Sequence, residues 1–104
     1  MEKSNVDKIF QSAVDEETKR LFSCSIGELL DRNDYGSIDT ISQGIKINIG
    51  WWKWERNENC YHVVLKAQRK LFLNFYKQYL NGIKFDVESG VIEYLSNEEV
   101  GDYD

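Results

Sequence analysis

The sequence has no proline, one histidine, one methionine and two cysteines in 104 residues. Without proline, chain reversals fall to Gly, Asn, Asp and Ser. His62 alone leaves any hydrolytic triad a single candidate base. Cys24 and Cys60 lie far apart in a chain that needs no staple, which points to a reducing, cytoplasmic setting. No apolar run approaches the roughly 18 residues of a membrane span, so no membrane partner is expected. Met1-Glu2-Lys3-Ser4 runs straight into polar sequence, and no secretory leader is expected either. Gly44 and Gly50 match no phosphate-cradle spacing.

What is present suffices for one folded domain spanning 1–104. Hydrophobic residues make up 41% and aromatics 13%, which argues against wholesale disorder. The net charge of −5 is unevenly spread. Residues 1–40 carry −4, residues 41–83 carry +5, and residues 84–104 carry −6. Either the acidic ends fold over the basic middle, or one of these surfaces meets a partner of opposite charge.

Ser4 followed by Asp7 resembles a helix start, and Val6, Ile9, Phe10, Ala13 and Val14 keep helical spacing. One helix is expected from about Asn5 to Phe22, with a break near Asp15 where the apolar stripe lapses. Ser25-Ile26-Gly27-Glu28 is a full capping box for a short second helix ending near Arg32. Asn33-Asp34-Tyr35-Gly36 reads as a turn. The period then changes to two: Ile45, Ile47, Ile49 and Trp51 alternate with Lys46, Asn48, Gly50 and Trp52. A turn at Arg56–Asn59 leads to a return strand at Cys60–Lys66. From Leu65, the residues Gln68, Phe72, Phe75, Tyr76 and Tyr79 line one helical face, with Asn81-Gly82 as its close. Ile83–Val87 and Val91–Leu95 supply two more strands, and 96–104 reads as a frayed acidic tail. The expected fold is α+β, in the order α-α-β-β-α-β-β, with an antiparallel sheet of about four strands and one helix inserted.

Asp31–Asp39 begins like a calcium loop, with ligand types at its first, third and ninth positions and Gly36 at its sixth. Tyr35 at the fifth position and Ser42 at the twelfth fail as ligands, so an acidic turn is expected. Glu58, Cys60 and His62 share a face if extended, but no oxyanion hole accompanies them. Zinc would need Cys24, Cys60, His62 and a borrowed carboxylate, without the usual paired spacing. No metal, cofactor or catalytic residue is therefore assigned, and the chain reads as a non-enzyme.

Trp51-Trp52-Lys53-Trp54 is the most unusual tetrapeptide. With Trp51 in the inward row, Trp52 and Trp54 stand on the opposite face beside cations. They suit a protein interface, where Trp, Tyr and Arg concentrate binding energy, or a stacking platform for single-stranded nucleic acid. A pI near 4.9 counts against nucleic acid. Asp31, Asp34, Tyr35 and Asp39, with Glu98, Glu99, Asp102, Tyr103 and Asp104, interleave carboxylates with tyrosine. That combination can imitate a phosphate backbone and steer onto a basic active site.

The function expected from these features is occlusion by a monomer or weak dimer in a bacterial cytoplasm. Its concrete form is an acidic immunity or inhibitor protein that neutralises a basic nuclease toxin, with Trp52 or Trp54 as hydrophobic anchor. The alternative is a small nucleic-acid binder using Lys46, Trp52, Trp54, Arg56, Arg69, Lys70 and Lys77.

Overall fold

In the computed structural model, residues 5–104 are described; the Ser4 start signal lies outside them. Two helices, α1 (Asn5–Phe22) and α2 (Ile26–Asp31), precede five strands. These are β1 (Tyr35–Ser42), β2 (Ile45–Asn57), β3 (Cys60–Phe72), β4 (Phe75–Asp86) and β5 (Ile92–Tyr94), followed by a short α3 (Asn97–Gly101). The strands form one antiparallel meander in chain order. The α+β class and antiparallel sheet are as expected, with one strand more and no inserted helix.

One face of the sheet is the core. Ile47 and Ile49 of β2, Val63, Leu65 and Ala67 of β3, and Tyr79, Ile83 and Phe85 of β4 pack against Ile9, Phe10, Ala13, Val14 and Leu21 of α1. Alternation puts these odd-numbered residues on one side and leaves the even-numbered ones on the other. The α1 stripe does not break at Asp15. Thr18 is fully buried and returns its hydroxyl proton to the Val14 carbonyl (2.8 Å), while Asp15 accepts from Gln11 (2.9 Å) and Asn81 (2.8 Å). The α2 capping box forms as read: Glu28 N–H donates to Ser25 Oγ and Ser25 N–H to the Glu28 carboxylate.

Lys53 is the unusual core residue. It is buried, and its ammonium donates to the carbonyls of Leu29 (3.2 Å), Leu30 (2.8 Å) and Arg32. Those are the orphan acceptors at the end of α2, so the cation closes that helix end from the sheet.

Three sequence expectations are corrected. First, the helix over 65–81 does not form. Those residues are the β3–β4 hairpin, turning at Leu73-Asn74, with Leu65 opposite Asn81 and Phe72 opposite Phe75. Gly82 is a mid-strand residue opposite Val64, and an added Cβ would lie 2.3 Å from the Val63 carbonyl oxygen; it serves close packing, not a helix cap. Second, the 31–42 segment is not the plain acidic turn expected: Tyr35–Ser42 is strand β1, paired with β2 through a tight Gln43-Gly44 turn whose φ angles are both positive (49° and 79°). Third, the tail is ordered by α3, whose Ser96–Glu99 capping box is complete.

The hairpin fixes the shape. Thirteen residues of β3 at about 3.3 Å each span about 43 Å, which only the long axis of the 47 × 25 × 23 Å molecule can hold. Pairing of β2 with β3 ends at Ile49–Ala67. Beyond that, Gln68–Gln78 projects as a two-stranded arm.

Candidate functional site

The face of the sheet away from α1 carries the candidate site. Antiparallel register sets Tyr35, Trp52, Val64 and Gly82 in one row across β1–β4. Trp54, His62, Lys84 and Glu93 form the next row, towards the acidic end. Trp52 and Trp54 remain 37% and 40% exposed. Together with Val64, Lys66, Leu80 and Tyr103 they line a shallow hollow of about 210 Å³.

Tyr103 reaches this row because α3 turns the chain back over it. Its ring stacks on Trp54 (centroids 4.9 Å apart, planes at 11°) and its hydroxyl meets Arg56 and His62. Arg56 Nη1 donates to the hydroxyl (3.2 Å), which in turn lies 2.9 Å from His62 Nδ1. If the hydroxyl proton points to Nδ1, His62 is the neutral tautomer protonated at Nε2. Burial holds the His62 pKa below its ordinary value, with Glu99 opposing and Arg56 and Lys84 adding to the depression. Glu99 anchors α3: its carboxylate accepts from Ser96 N–H and Lys84 Nζ, both at 2.9 Å. These contacts, the Ser96 backbone first, hold its pKa down to about 2, and in return Glu99 raises Lys84.

Trp54 has Tyr103 stacked on one ring face, and the edge of the Trp52 ring lies near Gly50, where a Cβ would sit 3.3 Å from it. Lys66 Nζ stands 5.3 Å from the Trp52 ring centroid.

The structure thus brings Tyr35, Trp52, Trp54 and Tyr103 together and scatters several acids named with them. Asp39 is on the same open face, hydrogen-bonded by Asn48 (2.9 Å). Glu98, Asp102 and Asp104 ride on or just after α3 at its border. Glu99 is engaged by Lys84, while Asp31 closes α2, which packs on the core side, and Asp34 lies 3.8 Å from Lys53. The basic set divides as well. Lys46, Lys66 and Lys70 are on the open face, whereas Arg69 and Lys77 turn to the α1 side and bind Asp7 at 2.9 and 3.1 Å. Tyr79, Lys77 and Arg69 together hold the Asp7 pKa far below the usual carboxylate range.

Sequence reasoning missed two things. Arg56 and His62 join Tyr103 only because α3 folds back, and the Ser96–Glu99 spacing was the signal for that helix. The arm was hidden by the false helical period. Among the described residues, no group of three His, Cys, Asp or Glu side chains is placed to hold a metal ion. Cys24 packs against the core, whereas Cys60 shares the other face with His62. No helix among the described residues is long and apolar enough to cross a membrane.

Comparison of the chain with protein-family models, with curated proteins and with solved structures gives no match.

Proposed function

We propose that this chain is a non-catalytic binding protein that occludes a basic protein partner, in its concrete form an acidic immunity or inhibitor protein for a nuclease toxin. One observation carries the reading: four large aromatics, Tyr35, Trp52, Trp54 and Tyr103, are gathered on the sheet face away from α1, partly exposed and beside the acidic α3. Rigid aromatics with part of their surface free are the usual energetic centre of a protein interface. Glu98, Asp102 and Asp104 supply the field that draws in a cationic partner and sets its orientation. The Tyr103 ring already stacked on Trp54 weighs against base stacking as the main task of that tryptophan.

The test is a pull-down from the source organism with the tagged chain, with and without nuclease treatment, eluted by salt. The expected capture is one basic protein that survives nuclease treatment and whose nucleolytic activity falls when the chain is added. Trp54→Ala should weaken that complex by at least about 2 kcal/mol, roughly thirtyfold in Kd. Neutralising Glu98, Asp102 and Asp104 together should slow association and flatten its salt dependence. A complex indifferent to both changes would remove this face from the interface.

A second reading, a nucleic-acid binder, draws on Lys66 against Trp52 and on Lys46 and Lys70 along the same face. It predicts nucleic acid in the untreated sample and nothing after treatment.

A further inference from the structure

We propose that the β3–β4 arm is a docking device for an anionic lipid surface, its apolar tip entering the interface and its lysines meeting the headgroups. This is separate from the proposed occlusion of a protein partner and uses the other end of the molecule. It also differs from spanning a membrane, which the sequence offers no segment to do.

The tip is apolar without interruption except at Asn74. Leu71 is 46% exposed, Phe72 63%, Leu73 72%, Phe75 59% and Tyr76 53%. Single exposed hydrophobes are ordinary, but five around one turn are a patch of the kind that marks an interaction site. The patch has no backbone reason to exist. Leu73 holds the left-handed conformation at φ 53°, where a branched side chain is strained. The neighbouring turns of the same sheet put Gln43, Gly44 and Asn59 at their positive φ angles, polar residues or glycine in each case. Leu73, 72% exposed, is the apolar exception among these turns and points to a use beyond the turn itself.

Charge selects the occupant. Behind the tip stand exposed Lys8, Lys46 and Lys70, and Arg69 and Lys77 share the single carboxylate of Asp7. Among the described residues, the acid on this half of the open face is Asp39, hydrogen-bonded by Asn48. The acids of α3 and of the 86–91 turn lie at the far end of a hairpin about 43 Å long, several Debye lengths of about 8 Å away. An approach tip first therefore presents local positive charge and keeps the net negative charge screened. Aromatic and leucine side chains at the interface with lysines just behind are the arrangement that bilayer surfaces favour. A second copy brings the same positive collar against the first. Duplex nucleic acid would want the ribbon cations free, and Arg69 and Lys77 are turned to Asp7.

The experiment is co-sedimentation of the full chain with phosphatidylcholine vesicles, with and without phosphatidylglycerol. Binding is expected to the vesicles containing phosphatidylglycerol and to fall as salt rises. Each of Lys46→Gln and Lys70→Gln should weaken it roughly fivefold, and Phe72→Ser with Leu73→Asn at least about tenfold. These side chains are exposed, so circular dichroism and urea unfolding should show the variants folded. No binding to the anionic vesicles overturns the proposal, as does equal binding by the tip variant. A dimer in solution that the tip variant dissolves would assign the patch to a second copy. Loss of duplex DNA binding in that variant, with vesicles never bound, would assign it to nucleic acid. Either result overturns the lipid reading.

Discussion

Leu65 and Leu71 belong to the same strand, and their surroundings have little in common. Leu65 is 1% exposed beneath α1, whereas Leu71 is 46% exposed on an arm that no described element covers. The strand chemistry does not separate them, since both segments are apolar and both pair with β4 or border its bulge. The separation comes from α1. Its first described turn ends the covered region by clasping Arg69 and Lys77 with Asp7, and the hairpin simply continues past it. Among the described residues, burial follows the reach of α1, and the same kind of residue is core on one side of that clasp and exposed on the other.

The comparison breaks most visibly under one substitution made twice. Leu65→Ala should cost about 2–5 kcal/mol, because the cavity is closed in by α1 and neighbouring strands. Leu71→Ala should stay within about 0.5 kcal/mol, as for surface sites. Urea unfolding of the two variants measures the difference. Equal costs would mean that the arm is packed against something in solution, such as a second arm. A smaller effect sharpens the same contrast. Leu73→Gly should raise stability by about 1 kcal/mol by relieving the left-handed leucine, while lowering binding to anionic vesicles. A loss of stability instead would show that Leu73 contributes packing at the turn.

The covered half was largely legible in the sequence and the arm was not, for a physical reason. Val6 to Leu21 is a helix because one face must meet a sheet, and Ile45 to Trp51 alternates because only one face does. Both periods reflect burial, and burial is what apolar spacing records. On the arm no face is buried. Leu71, Phe72, Leu73, Phe75 and Tyr76 are apolar all round, and their chance match with Leu65, Gln68 and Tyr79 imitated a helical stripe. The Leu73-Asn74 turn added to the deception, since Leu at a left-handed position gives no turn signal. Within the site, Trp52 and Trp54 followed from alternation alone. Their partner Tyr103 required α3, whose Ser96–Glu99 box lay unread in what looked like tail.

The smallest effect concerns the opposite end of the hairpin, where α3 supplies a cover that the arm lacks. His62 is kept neutral by burial, its folded pKa below the ordinary 6.5. The unfolded chain therefore takes up this proton first, and the contribution of His62 is complete above about pH 6.5 and declines as pH falls below it. Glu99 has its folded pKa depressed to about 2 from an ordinary 4.5. Its contribution is present above pH 4.5 and is lost as pH falls from there towards 2. Acid should thus loosen the α3 contact in two steps, read from the fluorescence of Trp54 as Tyr103 leaves its ring. Glu99→Gln should remove the lower step and move the upper one to lower pH, since the carboxylate no longer opposes the depression of His62. Parallel loss in the wild-type chain and in Glu99→Gln below pH 4.5 would mean that other carboxylates, and not the Ser96–Glu99–Lys84 anchor, hold that end closed.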